Sequence, residues 1–233
     1  MTDGFYVQLH MHTAESSRCA KSSAQEMVRA AKRAGYALIV VTDHFMNANL
    51  NAPANATWPE KVDCLMRGYE NAKREGDKIG LPVLFAWETN NGGPEILTYG
   101  LGREYLLAHP DAADWDEEVY ARRVRAAGAF ISHAHPFREA FYIPAFTPRP
   151  ELYDAFEVYN YSHEAHRDWD YKAYRMAKHA GLLYTAGSDA HRVQAIGGGA
   201  MLLPGPVSDM PGLICALRTG ACKVYDHIPE LGA

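Results

Sequence analysis

The chain has 233 residues, of which 48% are hydrophobic and 22% are charged, so it can bury a sizeable core and is not typical of a disordered protein. Its net charge of −5 lacks the electrostatic footprint of a protein that coats nucleic acid, although nucleic acid is not excluded as a partner. Eleven histidines accompany four cysteines, Cys19, Cys64, Cys215 and Cys222, with no C-x-x-C pair. We therefore expect neither a disulfide framework nor a thiolate zinc site.

The sequence contains no segment that predicts membrane association or export. The first residues lack a basic region and a long apolar stretch, so we expect no signal or transit peptide. The longest apolar run, residues 37–41, is too short to span a bilayer. These observations predict a cytoplasmic protein, and they leave its oligomeric state open.

Short apolar segments alternate with amphipathic helices along the chain. The first predicted strand covers residues 5–9, and Ser23 and Glu26 then have the spacing of a capping box that opens a helix ending at Gly35. The second predicted strand, residues 37–41, is apolar throughout, which is typical of a strand covered on both faces. Further helices are predicted over residues 59–78, 116–127, 169–180 and 212–218, and further strands over residues 83–86, 96–101, 129–132, 155–158, 183–186 and 222–225.

Polar side chains of metal-binding type follow five of these strands. They are His10 and His12, Asp43 and His44, Glu88, His133 and His135, and Asp189 and His191. The C-terminal ends of barrel strands meet on one face, whereas an open sheet gathers such residues only near a switch point. The pattern predicts an α/β fold, specifically a distorted barrel, with residues 1–233 as a single domain.

Histidine and carboxylate are the ligand types that zinc, iron and manganese accept. Seven such residues exceed the four that one tetrahedral ion needs, so we expect two or three ions, with a carboxylate such as Glu88 bridging two of them. The seven candidate metal ligands are His10, His12, His44, Glu88, His135, Asp189 and His191. We assign structural roles to the other histidines outside the predicted strands, which are His109, His163, His166, His179 and His227.

The order His-x-His, Thr-Asp-His, Glu, His-Pro and Ser-Asp-Ala-His, from Tyr6 to His191, resembles the PHP family, named for polymerases and histidinol phosphatase. The resemblance implies a distorted (β/α)7 TIM-like barrel with two or three metal ions at its C-terminal face, and most characterised members cleave phosphoesters. It further implies one ion held by four residues, a second ion that Glu88 bridges, and a further ion. These sets are His10, His12, Glu88 and Asp189 for the first ion, His135 for the second, and His44 and His191 for the third.

The chain departs from the family pattern at two ligand positions. Where many members place a histidine or aspartate after the His-x-His, this chain has Ser17 and Arg18, and Glu15 is the nearest carboxylate and thus a candidate metal ligand. A further family histidine is replaced in the segment 96–98. His133 either compensates as a ligand or lines the pocket, and Asp43 resembles a partner of a ligand more than a ligand itself.

The resemblance and the residues together predict a metal-dependent phosphoesterase that hydrolyses a phosphate mono- or diester of a small molecule through a metal-bound hydroxide. Glu88, Asp189 and His191 are the candidate catalytic residues. Arg138, Arg18 and His133 are the candidate substrate-binding residues, because a phosphate also needs cationic donors. We interpret Cys19 as a packing residue, because the sequence assigns it no histidine partner and no helix N-terminus.

Two other classes of function stay open at this stage. An amidohydrolase-type C–N hydrolase also uses a His-x-His after its first strand, but such enzymes commonly need a bridging lysine, and no predicted strand here ends in lysine. A non-catalytic metal-binding module for regulation would explain the missing family ligands. A nuclease is a variant of the main hypothesis that the acidic net charge disfavours.

Overall fold

The computed structural model describes residues 4–141 and 143–225, and their strands form one sheet. The strands are β1 (Phe5–Gln8), β2 (Leu38–Val41), β3 (Val83–Asn90), β4 (Glu95–Tyr99), β5 (Phe130–Ala134), β6 (Ala155–Asn160), β7 (Leu183–Gly187), β8 (Ala200–Leu203) and β9 (Lys223–Tyr225). Their order across the sheet is β7-β6-β5-β4-β3-β2-β1-β8-β9. Because β7 also packs against β8 and β9, the sheet is a nearly closed barrel, which confirms the predicted fold class.

The helices are α1 (Ala24–Ala34), α2 (Trp58–Ile79), α3 (Arg103–Ala108), α4 (Glu117–Ala126), α5 (Arg167–Ala180) and α6 (Met210–Arg218). The predicted capping box of α1 is present, since the Ser23 backbone N–H donates to Glu26 Oε2 at 2.8 Å, and the helix ends at Gly35 with φ 88°. None of the described helices is long and apolar enough to cross a membrane.

The strands are not all parallel, which the sequence analysis did not predict. β1, β2 and β3 are mutually parallel, as are β5, β6 and β7, but β4 runs antiparallel between β3 and β5. β8 and β9 are also antiparallel to their neighbours, and β8 was missed. The start of β4 therefore lies at the same end of the barrel as the C-terminal ends of β3 and β6.

The core lies on both faces of the sheet. All four residues of β2 are buried, as its continuous apolar run predicted. On the outer face, α1 buries Met27, Val28 and Ala31 against the first strands. At the C-terminal end of β1 the core gives way to buried polar side chains, and α2 covers this region closely at Gly68.

The close approach of α2 at Gly68 generates a stability prediction. A methyl group there would meet Thr13 Oγ1 and Asp43 Oδ2, which are buried and hydrogen-bonded to each other. We expect Gly68→Ala to lower the free energy of unfolding by about 1–3 kcal/mol, because this overpacking outweighs the gain in helix propensity. Urea unfolding measures the effect, and Gly205→Ala, which meets no atom within 4 Å, is the matched control. A Gly68→Ala protein as stable as the wild type would contradict the prediction.

Candidate metal centre

The residues that follow the strands converge at one end of the barrel. Backbone bridges join Met11 to Ala190 and His44 to Glu88, so the ends of β1 and β7 and of β2 and β3 are held side by side. All seven predicted ligands lie in this region, and they form three groups whose ligand atoms are within 4.8 Å of one another. The groups are His10, His12 and Asp189; His10, Glu88 and His135; and His12, His44 and His191.

The first group is completely buried and its ligand atoms face one another. His10 Nε2 lies 3.2 Å from His12 Nε2, 3.3 Å from Glu88 Oε1 and 3.4 Å from Asp189 Oδ1. His12 Nε2 lies 3.2 Å from Asp189 Oδ1 and 3.5 Å from Glu88 Oε2. Ligands at the corners of a tetrahedron around zinc are about 3.3 Å apart, given metal–nitrogen bonds of about 2.0–2.1 Å. This donor set therefore fits a divalent cation.

The second group surrounds the other side of Glu88. His135 Nε2 lies 3.1 Å from Glu88 Oε1 and 3.5 Å from Glu95 Oε2. Glu95 begins β4 and is buried, and burial together with the neighbouring Glu88 raises its pKa. Two buried carboxylates that approach one imidazole are a suitable donor set for a cation. Glu95 is not among the ligands predicted from the sequence.

The third group lies nearer the surface, where the His191 side chain is 29% exposed. The rings of His44 and His191 each stack on that of His12 with centroids 4.3 Å apart. Cys19 lines the same cavity as His44 and His191, and both imidazoles act on its thiol. Burial raises the pKa of this thiol, but the two histidines outweigh that effect and lower the pKa to about 6. The interpretation of Cys19 as a packing residue without a histidine partner is therefore wrong.

Glu157 in β6 is hydrogen-bonded to one residue of each of the first two groups, His10 and His135. Its Oε1 lies 2.9 Å from His10 Nδ1, and its Oε2 accepts from the His135 backbone N–H at 3.1 Å and from Asn160 Nδ2 at 2.9 Å. When His10 Nδ1 donates to this carboxylate, Nε2 is left unprotonated and directed at the ligand cluster. Glu157 is buried in an otherwise apolar strand, and such a charge within Ala155–Val158 was a signal that the sequence analysis did not use.

Asp43 is a partner of the cluster, as the resemblance implied. It accepts hydrogen bonds from the Thr13 backbone at 2.7 Å, from Thr13 Oγ1 at 2.6 Å and from Ser17 Oγ at 2.7 Å. Ser17 Oγ in turn lies 3.4 Å from His12 Nδ1. Burial raises the pKa of Asp43 to about 6, against the effect of these donors. Ser17, at a position where the family often has a ligand, thus connects Asp43 to His12.

His133 is not brought to the cluster. Although it precedes His135 by two residues, His135 has φ 32°, so the alternation of a strand is broken and the two side chains separate. The His133 ring stacks on Phe146 and Tyr153, and both of its nitrogens lack a hydrogen-bond partner among the described residues. Burial lowers its pKa to about 3. This packing gives no support to either role considered for His133, metal ligand or pocket lining.

Arg138 lies over the cluster and is held there by other side chains. It donates to Asp189 Oδ2, to Ser162 Oγ at 2.6 Å and, through Nε, to His163 Nε2 at 3.1 Å. His163 Nδ1 lies 2.8 Å from Asp170 Oδ1, so the structural role assigned to His163 includes orienting Arg138. Among the other histidines, His109 and His166 stack on aromatic rings, His179 is in the last turn of α5, and His227 lies outside the described residues.

The structure separates two further predicted residues from the cluster. Glu15, the tentative metal ligand, accepts from the Ala24 backbone N–H at 2.8 Å and from Asn71 Nδ2 at 3.4 Å, at the start of α1. Arg18 is exposed, and its guanidinium donates to the Ala52 carbonyl at 2.5 Å. Both side chains are thus engaged outside the three ligand groups.

A cavity of about 560 Å³ opens above the cluster. Its lining combines ligand-type residues with amide and aromatic side chains, namely Cys19, His44, Asn47, Ala48, Asn49, Glu88, Asn90, Glu95, Arg138, Phe141, Asp189 and His191. The described lining therefore offers hydrogen-bond donors, one guanidinium and carboxylates, but no lysine that could bridge two ions.

Several solved structures share this fold at low sequence identity. A two-domain protein from Bacteroides vulgatus, containing a predicted PHP-like metal-dependent phosphoesterase, matches with a TM-score of 0.70 and 16% identity over 96% of this chain and 65% of its own. This chain thus spans less than two thirds of that protein. An amidohydrolase from Chromobacterium violaceum, solved with sulfate and no metal, matches with a TM-score of 0.56 and 16% identity over 96% of this chain and 98% of its own.

A lesion-specific endonuclease from Pyrococcus furiosus matches with a TM-score of 0.57 and 10% identity over 94% of this chain and 57% of its own. No functionally curated protein matches the chain. Residues 168–222 match a family model described as PHP-associated. The family-model match and the shared fold confirm the resemblance to the PHP domain family that the sequence motifs indicated.

Proposed function

We propose that the protein is a metal-dependent phosphoesterase that hydrolyses a phosphate mono- or diester of a small molecule. The observation that carries the proposal is the convergence of His10, His12, Glu88 and Asp189, whose facing ligand atoms lie 3.2–3.5 Å apart in a buried site. Similarity to a protein containing a predicted PHP-like phosphoesterase also supports it. Zinc, manganese and iron are the ions that this donor set accepts.

We propose that Glu88 is the bridging ligand between the first two ions. Its two oxygens approach different groups, since Oε2 lies 3.5 Å from His12 Nε2 of the first group and Oε1 lies 3.1 Å from His135 Nε2 of the second. Glu95 would complete the second group in place of the family histidine that the chain lacks, and His191 would contribute to the third. Bound divalent ions would supply Lewis-acid stabilisation and lower the pKa of a coordinated water to about 7.

Arg138 is the residue that we propose to bind the substrate phosphate. Its guanidinium lines the cavity beside Asp189, and Ser162 and His163 fix its orientation. A planar guanidinium can donate two parallel hydrogen bonds to a phosphate, which makes the fixed orientation useful. We do not extend this role to Arg18 or His133, whose side chains are engaged elsewhere.

A C–N hydrolase is the competing enzyme class, since one structural neighbour is an amidohydrolase. The cavity lining favours the phosphoesterase, because a glutamate rather than a lysine stands between the imidazoles and an arginine faces the cavity. A non-catalytic module is less well supported, because a closed structural site would not need a cavity of about 560 Å³ above it.

The first test combines metal content with activity. Protein loaded with zinc, manganese or iron is expected to hold at least two ions per chain and to cleave p-nitrophenyl phosphate or bis-p-nitrophenyl phosphate. We expect Glu88→Gln to fold normally, to lose at least one ion per chain and to lose about 100-fold or more of the activity, because it removes a charged bridging ligand.

The exposed Glu70→Gln is the matched control and should behave like the wild type. Two ions per chain without cleavage of either ester or of any nucleotide would contradict the phosphoesterase proposal, and amide hydrolysis by the same preparation would favour the C–N hydrolase. Unchanged metal content in Glu88→Gln would contradict the bridging role.

The second test concerns the support that Glu157 gives to His10. In Glu157→Gln the charge is lost, and if the amide oxygen keeps the Asn160 and His135 donors, its N–H₂ group faces His10 Nδ1 and favours the tautomer with a proton on Nε2, the atom directed at the cluster. We expect metal affinity to fall by about 10–100-fold, as is typical when a partner of a ligand is changed. A competition titration against a chelator measures this, again with Glu70→Gln as control. Equal affinities of variant and wild type would show that Glu157 does not orient the ligand.

The third test concerns Arg138. Because a charge-assisted hydrogen bond contributes about 1.5–3 kcal/mol, we expect Arg138→Gln to raise KM for a cleaved phosphoester by about 10–100-fold. Arg138→Lys should restore only part of the loss, since lysine lacks the planar fork. Steady-state kinetics at saturating metal measure both variants, with the highly exposed Arg122→Gln as control. An unchanged KM in Arg138→Gln would remove Arg138 from the substrate site.

A further inference from the structure

Cys19 lies beside two of the predicted metal ligands, which no sequence motif predicted. It lies in the loop between β1 and α1 and lines the same cavity as His44 and His191. Cys19 and His191 also line a second, neighbouring cavity together, and both imidazoles act on the Cys19 thiol. One sulfur and two imidazoles, delivered by the segments after β1, β2 and β7, thus line the cavity at the outer part of the cluster.

The other donors beside His44 and His191 also belong to the inner groups, since Glu88 Oε2 lies 3.0 Å from His44 Nδ1 and Asp189 Oδ1 lies 3.5 Å from His191 Nδ1. His12 is the third member of their group, but its Nε2 lies 3.2 Å from His10 Nε2 and from Asp189 Oδ1, and so belongs to the inner set. The position where many family members place another ligand holds Ser17, whose hydroxyl donates to Asp43. Within the described cavity lining, Cys19 is thus the ligand-type residue beside His44 and His191 that belongs to neither of the first two groups.

His44 provides an independent sign that a cation belongs here. It is buried, with 8% of its surface exposed, and its Nδ1 has no hydrogen-bond partner among the described residues. This nitrogen lies 3.0 Å from Glu88 Oε2. A ring nitrogen and a carboxylate oxygen that approach each other in this way are suited to binding a common cation.

We propose that Cys19 is a thiolate ligand that completes, with His44 and His191, the binding site of one ion of the centre. The inference rests on the metal centre of the proposed function, but not on the reaction that the centre performs. When the ion binds, the Cys19 thiol releases its proton to solvent and the sulfur donates an electron pair to the metal. Three protein ligands leave one position of a tetrahedral ion open towards the cavity, as in catalytic zinc sites.

The sulfur also gives this outer position a metal preference of its own. Thiolate is a soft ligand that selects zinc-like ions, whereas the carboxylates and imidazoles of the inner groups also accept manganese. The absence of a C-x-x-C pair argued against a thiolate zinc site. A single cysteine beside two histidines is a different arrangement, because one thiolate is combined with two imidazoles.

The test uses cobalt, because a thiolate bound to Co²⁺ gives a near-ultraviolet charge-transfer absorption that nitrogen and oxygen ligands do not give. Metal-free, reduced wild-type protein titrated with Co²⁺ is expected to develop this absorption. Cys19→Ser should lose it together with one ion per chain, while circular dichroism shows an unchanged fold. Cys19→Asp should keep the ion count but lack the absorption, because a carboxylate replaces the sulfur.

The matched control is Cys215→Ser, which changes an exposed cysteine on α6 and should leave both the absorption and the ion count unchanged. Absence of the absorption in fully loaded wild type, or its persistence in Cys19→Ser, would overturn the proposal. Absence of any cobalt binding would overturn both this proposal and the metal centre. Cobalt binding with the absorption but without phosphoester cleavage would support the Cys19 ligand and contradict only the proposed reaction.

Discussion

The burial of Glu88 is the constraint on which the geometry of this end of the barrel depends. Its carboxylate is 1% exposed, and a buried charge costs several kcal/mol unless opposite charges or hydrogen-bond donors surround it. His10, His44 and His135 approach its oxygens to 3.3 Å, 3.0 Å and 3.1 Å. Burial would raise the pKa of Glu88, but these imidazoles hold it well below its ordinary value. Three strand ends must therefore meet around one carboxylate.

The residues that orient these imidazoles connect the cluster to the barrel itself. Glu157 holds His10 from β6, and Asp43 reaches His12 through Ser17. Gln8 Oε1 accepts from the backbone N–H groups of both His10 and Ser188, at 3.0 Å each, and so holds the ends of β1 and β7 together. Because the orienting groups are themselves buried, the ligand geometry is coupled to the packing of the core rather than left to loop conformation.

The sequence predicted the parts of the site that follow parallel strands, because the ends of such strands meet on one face. It missed Glu95 because β4 is antiparallel, so that its first residue rather than its last lies at the cluster. It left the role of His133 open, because the positive φ at His135, which separates the two side chains, cannot be read from alternation. Cys19 was missed for another reason, since its partners are set by how a loop of irregular structure returns to the barrel, which no local pattern encodes.

The three ligand groups differ in depth, and this difference bears on how a substrate would approach. His10 is fully buried, whereas His191 is 29% exposed and shares the cavity wall with Cys19 and Arg138. An anion entering the cavity therefore meets Arg138 and the outer group before it reaches the inner donors. Arg138 also pairs with Asp189, a member of the inner set. A phosphate that accepts hydrogen bonds from this guanidinium must share it with Asp189. Substrate binding is thereby coupled to the electrostatics of the buried ligands.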